Sequence, residues 1–68
     1  MELLYTVETA IAGSCGTKRV GLPTFNFEKA KEKARDASIL SGRAYVFGLD
    51  MYTRAAFEGG NELAPEEW

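Results

Sequence analysis

Residues 26–42 read NFEKAKEKARDASILSG, and this stretch decides the fold because it predicts an amphipathic α-helix. Asn26 is suited to capping the amides of the first turn, and Glu28 favours the positive end of the helix dipole. Gly42 is the expected end, since glycine tolerates the positive φ of a C-terminal cap. At about 100° per residue, small or apolar side chains share one face: Phe27, Ala30, Ala34, Ala37 and Ser41. We expect this face to lie close against a sheet.

The residues before the helix predict two β-strands. Apolar side chains stand at alternate positions, as in a half-buried strand: Leu3, Tyr5, Val7 and Ile11. The cluster Gly13-Ser14-Cys15-Gly16 predicts a turn, because its glycines permit tight backbone geometry. A second strand is then expected from about Thr17 to Leu22, ending before Pro23, which has no amide to donate.

The residues after the helix predict a β-hairpin. Two apolar segments, 45–47 and 52–57, flank a short connection at Leu49-Asp50-Met51. The predicted fold class is therefore α+β, in which four antiparallel strands carry a helix on one face in the order ββαββ. Residues 1–58 would form a single domain.

Residues 59–68 read GGNELAPEEW and predict a disordered acidic tail. The two glycines, the proline and the carboxylates make a poor addition to a packed core. We expect this segment to be dispensable for folding.

Composition excludes several kinds of function. The chain has no His and a single cysteine, Cys15, so it lacks the commonest general base and the ligands of a zinc site. No catalytic residues, no metal and no cofactor are therefore expected. No apolar run reaches the roughly 20 residues of a membrane span, and the unpaired cysteine favours a cytoplasmic location. A homodimer is an open alternative, since small domains often gain stability by association.

The 68 residues carry a net charge of −2 that is unevenly distributed. Residues 18–54 hold eight bases and four acids, and the flanking segments hold six acids and no bases. The ordinary interpretation is a solvated surface with an acidic tail that aids solubility. A basic surface for a partner is the alternative, and its candidate residues are Lys18, Arg19, Lys29 and Lys33.

The hairpin supplies a second group of candidate binding residues. Strand alternation places Arg43, Tyr45 and Phe47 on one side of the first strand, and Tyr52 with Arg54 on one side of the second. Cross-strand pairing that stabilises the hairpin is one interpretation. A surface for a protein partner is another, because aromatics and arginine are enriched at hot spots. Stacking of nucleic-acid bases on an open sheet face is a third.

The strand order, the small size and the segregated charge resemble small phage-encoded proteins, including some anti-CRISPR inhibitors of type I systems. The resemblance covers about residues 2–58 and is carried by four segments: Leu3-Leu4-Tyr5-Thr6-Val7-Glu8, Phe25-Asn26-Phe27-Glu28-Lys29-Ala30, Ala34-Arg35-Asp36-Ala37-Ser38, and the hairpin from Gly42 to Phe57. It implies a protein that occupies a surface on a complex in the bacterial host cytoplasm.

We therefore expect a non-catalytic binding protein, of the phage-inhibitor kind, that contacts a host protein complex. The alternative is a small nucleic-acid-binding protein that uses the open sheet face and the basic residues of 18–54. Salt dependence separates the two, since phosphate contacts weaken steeply as ionic strength rises.

Overall fold

A helix packs on one face of an antiparallel sheet. The computed structural model describes residues 3–11 and 16–68, so residues 13–15 of the predicted turn, including Cys15, lie outside the described residues. Within the described residues, the elements are β1 (Tyr5–Ala10), β2 (Thr17–Arg19), α1 (Phe27–Ser41), β3 (Arg43–Gly48), β4 (Thr53–Glu58), β5 (Asn61–Glu62) and a 3₁₀ turn at Pro65–Glu67. The five strands of this described part are ordered β2-β1-β3-β4-β5, and every neighbouring pair is antiparallel.

The ends of α1 confirm the capping prediction. Asn26 accepts a hydrogen bond on its side-chain oxygen from the Lys29 amide at 3.2 Å. Gly42 has a φ of 96° and donates its amide to the Ser38 carbonyl at 2.8 Å. Most other residues would be strained at that φ, so glycine determines where the helix stops.

The core lies between α1 and the three strands β1, β3 and β4, against which the helix packs. Ala30 and Ala34 are fully buried on the helix, and Val46 and Phe57 are fully buried on the sheet. The rings of Tyr5 and Phe27 extend the contact, with centroids 4.9 Å apart. Small helix side chains against larger sheet side chains allow the two layers to approach closely.

The prediction that Ser41 lies on the buried face of the helix is wrong. Ser41 is exposed, and its hydroxyl donates to the Ala37 carbonyl at 2.8 Å. Ser38 is fully buried instead, and its hydroxyl oxygen accepts the Gly60 amide at 2.8 Å. The physical reason is the turn that connects β4 to β5, because this turn covers the helix surface at Ser38.

Several strand boundaries differ from the predictions. β1 begins at Tyr5 rather than Leu3, and β2 ends at Arg19 because the chain turns away at Gly21, where φ is 66°. Tyr52 precedes β4 and lies in the hairpin connection. A shift in register between β3 and β4 leaves Arg54 without a paired residue, so Tyr52 and Arg54 are not alternating members of one regular strand.

The segment predicted to be a disordered tail forms part of the sheet. β5 pairs with β4, with Phe57 opposite Glu62, and the Leu63 amide continues the pairing by donating to the Ala56 carbonyl at 2.8 Å. Gly59 and Gly60 have φ values of 58° and 89°, which allow the tight reversal between the strands. The composition suggested mobility, but the same two glycines form the hairpin turn that returns the chain to the sheet.

The close helix–sheet contact predicts opposite effects of leucine at two helix positions. Ala34→Leu inserts three carbon atoms where no space is open, and we expect a loss of about 1–3 kcal/mol in unfolding free energy. Glu32→Leu lies on the exposed face and should change this free energy by less than about 0.5 kcal/mol. Urea denaturation of both variants measures the difference, and a tolerated Ala34→Leu with a damaging Glu32→Leu would show that the helix is rotated.

Candidate functional site

Three predicted site residues, Arg43, Tyr45 and Phe47, lie together on the sheet face opposite α1. They alternate along β3 with Ala44 and Val46, which are buried in the core. The rings of Tyr45 and Phe47 have centroids 5.9 Å apart and are inclined by 25°. The Arg43 guanidinium lies 5.5 Å from the centroid of the Tyr45 ring. The structure therefore brings these side chains into one stacked row.

Residues after β5 cover part of that row. Arg43 donates through Nη2 to the Glu67 carbonyl, and its buried Nε has no hydrogen-bond partner. Trp68 donates its indole N–H to the Leu63 carbonyl at 3.3 Å. Ala56, the cross-strand neighbour of Tyr45, is fully buried. The chain's own C-terminal segment thus accepts a hydrogen bond from the Arg43 guanidinium, a group that a nucleic acid or protein partner would also need to contact.

Tyr52 and Arg54 lie apart from this row, at the tip of the β3–β4 hairpin. Arg54 forms an ion pair with Asp50, and the Tyr52 amide donates to the Asp50 carboxylate at 3.1 Å. Leu49, Met51 and Tyr52 are 67%, 70% and 70% exposed. Met51 has a φ of 68°, the left-handed conformation that glycine adopts most easily. Sequence reasoning missed Leu49 and Met51 as surface residues, although apolar side chains inside a predicted turn were the available signal.

The basic candidates divide into two groups. Lys18, Arg19 and Lys33 line a cleft of about 510 Å³ between β2 and α1. Lys29 lies on the exposed surface of the first helical turn and is not among the cleft-lining residues. The cleft also contains Val20 and Leu40, which sequence reasoning did not select because their meeting depends on how the helix crosses the sheet.

Two absences hold for residues 3–11 and 16–68. These residues contain no group of three or more His, Cys, Asp and Glu side chains that could hold a metal ion. Nor does any helix there have the length and apolar character that crossing a membrane requires.

No protein-family model, curated protein or solved structure matches this chain. The surfaces described above therefore have to be interpreted from their own geometry and chemistry.

Residues 61–68 pair with β4 and bond to Arg43. We therefore predict that this segment stabilises the domain. Truncation after Gly60 removes the β4–β5 pairing, the hydrogen bond from the Leu63 amide to the Ala56 carbonyl, and the carbonyl partner of Arg43. We expect the thermal midpoint to fall by at least about 5 °C, the change that roughly 1 kcal/mol produces in a domain of this size.

Glu67→Gln is the matched control, because Arg43 contacts the main-chain carbonyl of Glu67 and the substitution keeps it. This variant should melt with the wild type. A truncated chain that also melts with the wild type would show that the segment is not docked.

Proposed function

We propose that this chain is a non-catalytic binding protein that contacts another protein through the tip of its β3–β4 hairpin. The observation that carries the proposal is the exposure of Leu49, Met51 and Tyr52, each about two-thirds accessible to solvent on one short connection. Scattered apolar side chains are normal on protein surfaces, whereas a group of them is typical of an interaction site. Tyr52 adds an aromatic ring, which is enriched among residues that dominate binding energy.

The backbone at Met51 supports a role for the side chain itself. A left-handed conformation costs an L-residue about 1–2 kcal/mol, and glycine avoids this cost. Met51 gains little packing in return, because its side chain projects into solvent. The positive φ itself is part of the hairpin turn, in which the Met51 amide donates to the Gly48 carbonyl and the Gly48 amide donates to the Tyr52 carbonyl, each at 3.0 Å. Glycine would form this turn at lower cost, so turn geometry does not explain why the position carries methionine.

The charges at the tip favour a protein partner over a nucleic acid. Asp50 and Arg54 pair with each other, so the hairpin tip has no unpaired cation to offer a phosphate. A convex, apolar tip fits an apolar pocket on the partner surface. By the resemblance to phage-encoded inhibitors, the proposed partner is a protein complex of a bacterial host.

The nucleic-acid alternative rests on the stacked row of Arg43, Tyr45 and Phe47. Bases stack on aromatic rings, and arginine contributes cation–π contacts with them. Arg43 is already bonded to the Glu67 carbonyl, and Tyr45 and Phe47 are half-buried. These contacts make the row a weaker candidate than the hairpin tip.

Met51→Gly tests the proposal without endangering the fold. Glycine relieves the positive φ, so the variant should be at least as resistant to urea as the wild type. It should capture the specific host protein from nuclease-treated bacterial lysate at least about tenfold less well, which corresponds to 1.4 kcal/mol. Immobilised protein with quantitative mass spectrometry of the bound fraction measures this difference.

Ile39→Ala is the control, because Ile39 is 62% exposed near the opposite end of the molecule, where α1 precedes β3, and does not line the cleft between β2 and α1. It should capture the same protein as the wild type. Equal capture by Met51→Gly, or capture that nuclease treatment abolishes, would overturn the proposal.

A further inference from the structure

A cleft opens between β2 and α1 because the helix does not extend over the whole sheet. α1 packs on β1, β3 and β4, and all three residues of β2 are exposed. The edge of the sheet at β2 therefore projects past the helix. The cleft has a volume of about 510 Å³, within the range of about 300–1,000 Å³ that small-molecule sites occupy.

Both walls of the cleft provide apolar surface. Val20 follows β2 on one side, and Ala37 and Leu40 lie one turn apart on α1 on the other. Leu40 is 91% exposed, so a ligand in the cleft can cover the side of Leu40 that faces it. Burial of such surface favours binding in proportion to its area.

The rim of the cleft is basic. Lys18, Arg19 and Lys33 line it together with one acid, Asp36. Lys18 is paired with Thr9, which faces the helix, so the Lys18 side chain lies on the same face of the sheet. Lys33 lies on the opposite wall of the cleft, on α1. The ion pairs present in the described part of the chain are Lys31–Glu62 and Arg54–Asp50, and neither includes a cleft residue.

Arg19 and Lys33 differ in what they contribute to the charge of the rim. Arg19 is paired with Glu8, and the Glu8 carboxylate keeps its negative charge while it accepts a hydrogen bond from the Thr17 hydroxyl. Both residues alternate with helix-facing residues, so their opposite charges lie together on the other face of the sheet. Lys33 donates to the Leu22 carbonyl at 3.4 Å and keeps its positive charge. The side chains of Lys18, Lys33 and Asp36 therefore leave the rim beside the helix with a net charge of +1, which attracts an anion.

We propose that this cleft binds a small organic anion with an apolar body, of the kind that a medium-chain carboxylate represents. The anionic group lies between Lys18 and Lys33, and the apolar body covers Val20, Ala37 and Leu40. A nucleotide fits less well, because no aromatic ring lines the cleft to stack a base. Inorganic phosphate matches the cations but leaves the apolar walls in water.

Titration with octanoate, followed by amide chemical shifts in NMR spectra, tests this site. Saturable shifts are expected at residues 18–20 and 36–41. Octanamide keeps the apolar body without the charge, and inorganic phosphate keeps a charge without the apolar body. Both should bind at least about tenfold more weakly, a difference of 1.4 kcal/mol. Equal binding of octanoate and octanamide, or shifts spread over the whole surface, would overturn the proposal.

Substitutions separate the cleft from other basic surface. The double variant Lys18→Gln/Lys33→Gln should weaken octanoate binding by about tenfold, and Leu40→Ser should weaken it as well. Lys29→Gln, which removes a helix lysine outside the cleft, should bind octanoate like the wild type. Equal loss in Lys29→Gln and the double variant would show a diffuse charge effect and overturn the assignment.

Met51→Gly should leave octanoate binding unchanged, because the hairpin tip does not line the cleft. The octanoate affinity of this variant therefore separates a failure of the cleft proposal from a failure of the hairpin proposal. An acidic peptide that displaces octanoate and binds more tightly would assign the cleft to a protein segment instead of a small anion.

Discussion

The close approach of α1 to the sheet is the contact on which the other features depend. Ala30, Ala34 and Ser38 are fully buried along the helix, and none has a side chain long enough to hold the layers apart. Phe57 and Val46 fill the space from the sheet side. Because the core is so thin, its stability depends on shape complementarity more than on large buried side chains. The register of the helix against β1, β3 and β4 then determines which surfaces remain uncovered.

The placement of α1 on the sheet shapes two surfaces of the molecule. A helix of 15 residues covers the middle strands and leaves β2 projecting, which creates the cleft with Lys18 and Lys33 on its walls. On the other side, Ser38 accepts the Gly60 amide and holds the β4–β5 turn against the helix. That turn directs Asn61 and Glu62 into the edge strand β5, and the residues that follow reach Arg43 through the Glu67 carbonyl.

The protein thus separates chemically different surfaces on a small domain. The hairpin tip is apolar, and its two charges pair with each other. The cleft combines apolar walls with a positive rim. In the stacked row on β3, Arg43 is bonded to the chain's own C-terminal segment. The tip and the cleft lie at opposite ends of β3, since Leu40 precedes this strand and Met51 follows it. Distance and different chemistry mean that each surface can be altered with little effect on the other.

The sequence by itself determined the features that depend on neighbours within a few residues. The helix and both of its caps, the hairpin turn at Leu49-Asp50-Met51 and the shared face of Arg43, Tyr45 and Phe47 follow from local propensity and strand alternation. The left-handed backbone at Met51 was not predicted, because apolar residues in a turn do not by themselves specify its φ.

Tertiary structure decided the features whose partners are distant along the chain. Ser38 is buried by a contact 22 residues away, and Arg43 meets a carbonyl 24 residues away. Lys18 and Lys33 come together only because β2 lies at the sheet edge beside α1. Local sequence patterns carry no information on these long-range contacts, because the contacts depend on strand order and on the angle at which the helix crosses the sheet.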